Sequence, residues 1–137
     1  MNPWPLSIAM PLTIAGAVVL VLAFDVAAAW FALRNRSIVY TKLWPFQFGL
    51  YVVIGFFAML ALLDIRLVEI VGAITGFAAA TVGWTITWRM GPARVANATP
   101  GRIAIAVLSL TAFGYGFAIA GALLFNVVAI VLIRARG

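Results

Sequence analysis

Residues 103–133 read IAIAVLSLTAFGYGFAIAGALLFNVVAIVLI, an unbroken run without a charged side chain. The hydrocarbon core of a bilayer is about 30 Å thick and a helix rises about 1.5 Å per residue, so about twenty such residues cross it. This run exceeds that length, and tilt or a turn or two beyond the bilayer is expected to absorb the excess. A soluble domain of this size leaves too much of its surface in water to hide so long an apolar segment.

Working back towards the N-terminus, three more stretches qualify. They run from about Ser7 to Leu33, from about Trp44 to Leu63 and from about Leu67 to Trp88. Pro11 and Pro45 fall near helix starts, where a missing N–H is tolerated. The composition agrees, with 66% hydrophobic and 9% charged residues, far from a soluble mixture. The expected fold is an all-α integral membrane protein. It is one membrane domain, a bundle of four transmembrane helices (about 7–33, 44–63, 67–88 and 103–133) joined by short loops. Met1–Leu6 has no cation to act as a signal-peptide n-region, so the first span is read as a retained helix.

The formal charge of +6 suggests nucleic acid only until its distribution is seen. The cations sit at the ends of apolar runs, where membrane orientation accounts for them. Arg34, Arg36 and Lys42 lie between the first two spans, and Arg89, Arg94 and Arg102 between the last two. Two intervening spans bring both loops to one side, which the positive-inside rule makes cytoplasmic, with both termini outside. Arg134 and Arg136 pull the other way. Trp30, Trp44, Trp84 and Trp88 flank the two basic loops as an interfacial belt would. Beside these cations, the belt could also recognise anionic lipid headgroups. No nucleic-acid partner is expected.

Asp64-Ile65-Arg66 alone separates the second and third spans, a tight hairpin in which Asp64 can cap the incoming helix. In lipid, helices associate through close packing and interhelical hydrogen bonds, so small and polar residues mark contact faces. On the third span Gly72, Gly76, Ala79 and Gly83 form one such stripe. Its reverse face carries Thr81, Thr85 and Trp88, which suggests neighbours on both sides. The fourth span offers Ala104, Leu108, Thr111, Tyr115, Ala118, Ala122 and Asn126, and the second Gln47, Tyr51, Ile54, Ala58 and Ala61.

Asp25 is the sharpest feature. It lies eight residues before Leu33, roughly 12 Å inside its helix. A charged Asp near a helix centre costs about 2.5–3.5 kcal/mol on insertion scales, so it needs a partner. Equal counting on the other helices brings Tyr51, Thr81 and Thr111 near the same depth, a candidate polar layer. No basic residue lies within a span, which argues against a buried salt bridge. An intramembrane acid is a functional candidate by default, whereas a neutral Asp acting as an interhelical donor explains the same residue structurally.

Cys and His are absent, and the acids are only Asp25, Asp64 and Glu69. Thiolate, haem and multi-carboxylate metal sites therefore lack ligands. Ser7, Ser37 and Ser109 have no base nearby in the sequence to activate them. No enzymatic activity, metal or cofactor is expected. Two functions remain. The first is a non-catalytic membrane subunit or scaffold associating through Gly/Ala-rich helix faces, in a homo-oligomer or larger complex. The second is a small oligomeric transporter or channel with Asp25 as its proton- or cation-coupling residue.

Overall fold

The hairpin at Leu63-Asp64 sets the architecture, because two residues leave the flanking helices no choice but to run antiparallel. In the computed structural model, which describes residues 4–35, 40–91 and 99–136, Leu63 closes the incoming helix with φ 53° and ψ 22°. Its N–H donates to the Met59 carbonyl at 2.9 Å. Asp64 then opens the next helix, its Oδ1 accepting from the Arg66 N–H at 2.9 Å, the cap expected from the sequence.

The helices are α1 (Leu6–Arg34), α2 (Trp44–Leu62, preceded by a 3₁₀ turn Tyr40–Leu43), α3 (Ile65–Ala78), α4 (Trp84–Met90) and α5 (Pro100–Arg136). A π-helical turn, Ala79–Gly83, joins α3 to α4, so the third span runs continuously from Ile65 to Met90. Among the described residues, four helical segments are thus long and apolar enough to cross a membrane, and every regular element is helical. The protein is an all-α, multi-pass membrane bundle.

Contacts fix the directions. Gly72 meets Ala118 and Gly114, while Gly76 meets Gly114 and Leu110, so α5 runs antiparallel to α3. Phe48 stacks on Phe117 and Phe56 meets Phe125 edge to face, so α5 runs parallel to α2. The helix ends that flank the two basic connections therefore lie at one end. Packing links α5 to α2 and to the α3 span, and α1 to α2 and to the α3 and α4 segments. Among the described residues no Cα of α1 comes within 8 Å of one in α5; the two pack on opposite sides of the α2/α3 hairpin.

The α3/α5 crossing is built on glycine. A Cβ on Gly114 would lie 2.5 Å from the Gly72 carbonyl oxygen and 2.8 Å from the Gly76 Cα. No side chain fits there, and the resulting backbone approach is what gives lipid-embedded helices their packing energy. Gly72, Gly76, Ala79 and Gly83 are all buried, their stripe occupied within the chain. On α2, Tyr51, Ile54 and Ala58 face inward, as their spacing suggested.

Two faces differ from expectation. On α5, Ala118 and Ala122 are buried, but Ala104, Leu108 and Tyr115 are exposed. The inward line runs instead through Gly114, Ala118, Gly121 and Ala122, because closest approach selects the smallest residues over hydroxyl-bearing ones. On the third span Thr85 is exposed and Thr81 half-exposed, and their hydroxyls donate to the Thr81 and Phe77 carbonyls at 2.7 and 2.8 Å. This face makes no hydroxyl contact with a neighbouring helix. Among the described residues the buried threonines are Thr75 and Thr87.

Candidate functional site

Asp25 lies on the face of α1 that carries Val21, Ala28 and Ala29 into the bundle, and only 3% of its surface is exposed. An acid so enclosed must be met by polar groups or remain under strain from lost solvation. One oxygen is met: Gln47 on α2 donates from Nε2 to Asp25 Oδ1 at 3.2 Å. The same nitrogen lies 3.5 Å from the hydroxyl of Tyr51, one turn further along α2 and fully buried. Gln47 thus bridges the acid and the phenol.

The second oxygen, Oδ2, is buried and has no hydrogen-bond partner. It abuts Gly83, the last residue of the π turn, so closely that a Cβ there would collide with it. Leu22, one turn earlier on α1, closes the same contact. A π turn inserts an extra residue into a helix and shifts everything beyond it by about 100°. Here it ends with the one residue small enough to admit the carboxyl. Asp25 therefore joins α1 to both of its neighbours, through Gln47 on one side and the π turn on the other.

Of the expected polar layer, the structure brings together Asp25 and Tyr51, with Gln47 between them. It does not bring Thr81 or Thr111 to the acid. Thr81 donates to the Phe77 carbonyl, as above, and Thr111 to the Val107 carbonyl at 2.8 Å, each bonding back into its own helix. Sequence reasoning placed Gln47 on the inward face of α2 but not in the layer, and it missed the role of Gly83.

The interfacial residues lie away from this cluster. Arg34, Lys42, Arg89 and Arg102 are all exposed, and the Arg34 guanidinium stands 5.2 Å from the Trp30 ring centroid. Arg36 and Arg94 lie outside the described residues. Trp84 and Trp88 meet edge to face at 5.3 Å. Comparison with protein-family models, curated proteins and solved structures finds no match to this chain. The site must be read from its own geometry.

Proposed function

We propose that this chain is a non-catalytic subunit or scaffold of a larger membrane assembly, with Asp25 as an interhelical tie. The observation that carries this reading is the placement of Asp25. It is enclosed, bonded by Gln47 and pressed against Gly83, so its polar chemistry is directed at neighbouring helices of the same chain. The Gly72–Gly83 stripe is occupied internally, and a partner must therefore meet an outer face. On α5, Ala112, Gly116 and Ala120 lie exposed at four-residue spacing, the small-xxx-small pattern through which membrane helices associate. In this reading the basic connections are cytoplasmic and both termini lie outside, following the positive-inside rule.

A second reading, a small oligomeric transporter or channel coupled to a proton or cation at Asp25, is favoured by one observation. The buried Oδ2 has no partner and leaves an acid oxygen open to an ion. Purified Asp25→Asn and Asp25→Leu proteins separate the two, compared in stability, assembly and ion flux in liposomes. For a subunit, Asn is nearly silent, Leu costs on the order of 0.6–2 kcal/mol, and no variant changes flux. Gradient-dependent flux by the unaltered protein, lost in Asp25→Asn with fold and oligomer intact, would overturn the subunit reading.

A further inference from the structure

Two apolar crevices open on either side of the last turns of α1. One, of ≈ 330 Å³, is walled by Phe24, Ala27, Trp30 and Phe31 of α1 with Leu43 and Phe46 from the start of α2. The other, of ≈ 640 Å³, runs along Val19, Leu22, Val26 and Trp30 and ends at Met90. Ala27 and Trp30 line both. The larger crevice follows α1 from residue 19 to residue 30, about 16 Å of helix, close to half the thickness of a bilayer's hydrocarbon core. That is the length of one leaflet.

Cations gather where the crevices open. The guanidinium of Arg34 stands over the Trp30 ring that separates them. Lys42 immediately precedes Leu43 of the smaller crevice, and Arg89 precedes Met90 of the larger; both are exposed. No acid answers them. Asp25 is buried, and Asp64 and Glu69 belong to the opposite end of the hairpin. Apolar clefts one leaflet deep beneath uncompensated cations complement one kind of molecule, a lipid with a negative headgroup.

We propose that the end of α1 is a binding site for a single anionic glycerophospholipid, its phosphate on Arg34 and its acyl chains in the crevices either side of Trp30. The planar guanidinium offers a paired-donor match to phosphate oxygens, and indole side chains favour the depth where headgroup gives way to chain. The site is independent of Asp25 and of the subunit reading.

Native mass spectrometry of the purified full-length protein, exchanged into nanodiscs of phosphatidylglycerol and phosphatidylcholine, measures retention of each lipid. Arg34→Gln removes the phosphate contact. Ala27→Phe leaves every charge in place but fills both crevices, and Ala23→Phe fills the larger one; both positions are exposed, so the bundle should be preserved. Arg134→Gln, at the far end of α5, is the charge-matched control. Preferential retention of phosphatidylglycerol should fall about tenfold or more in Arg34→Gln. It should fall comparably in Ala27→Phe and more weakly in Ala23→Phe, and remain unchanged in Arg134→Gln. An equal loss in Arg34→Gln and Arg134→Gln, or undiminished retention in Ala27→Phe, overturns the site and leaves only diffuse attraction between charges.

Discussion

Gly83 and Asp25 test each other. A methyl group at Gly83 would collide with the Asp25 carboxyl, and the short Asp side chain can retreat only by giving up its bond from Gln47. Gly83→Ala should therefore destabilise by about 1–3 kcal/mol, the range for overfilling a packed site. In an Asp25→Ala background the same change should cost almost nothing, since the colliding atoms are gone. Thermal unfolding of the four proteins closes the cycle; additive losses would mean that the contact is not the cause. Asp25 itself was legible from its type and depth. Its partners were only half so, because equal counting from the helix ends treats those ends as level. Gln47 lies three residues into α2, whereas α1 continues nine residues beyond Asp25 to Arg34, and a long amide side chain spans the difference. The threonines misled for another reason: a backbone carbonyl four residues back is always within reach of a helical hydroxyl.

At the level of helices, glycine separates packing from lipid contact. Gly76→Ala would place a Cβ 2.5 Å from the Leu110 carbonyl oxygen, whereas Gly16 on α1 has nothing within 4 Å. The first substitution should lose about 1–3 kcal/mol through forced separation of α3 and α5, and the second should be neutral or mildly stabilising. Unfolding midpoints in one detergent compare them, and equal midpoints would place the α3 stripe against lipid. The four spans and the α2/α3 turn were legible because apolar length and a capping Asp are local signals. The π turn was not, since no residue type between Ala79 and Gly83 announces it, although it ends where Gly83 meets Asp25. The outward tilt of Leu108 and Tyr115 was equally hidden, because apolar character on every side of α5 leaves no periodicity from which to choose a face.

For the whole molecule, the shared end of the two basic connections makes orientation a single question. Cysteine placed at Lys42, in this Cys-free chain, should resist an impermeant thiol reagent in intact cells, while cysteine at exposed Leu63 should react. The reverse pattern would invert the topology. The separation of α1 from α5 has a different consequence. Among the described residues, α1 packs on α2 and the 3₁₀ turn before it, on α3, the π turn and α4, whereas α5 packs on α2, α3 and the π turn. The chain is thus two cohesive pieces, a lone helix and a three-span remainder, linked covalently only between Asn35 and Tyr40. Independently inserted helices can find one another within the bilayer. A gene divided at that connection and expressed as two polypeptides should therefore yield fragments that co-purify through a tag on either one. Asp25→Leu in the shorter fragment should weaken their reunion, which makes fragment complementation a direct assay of the tie.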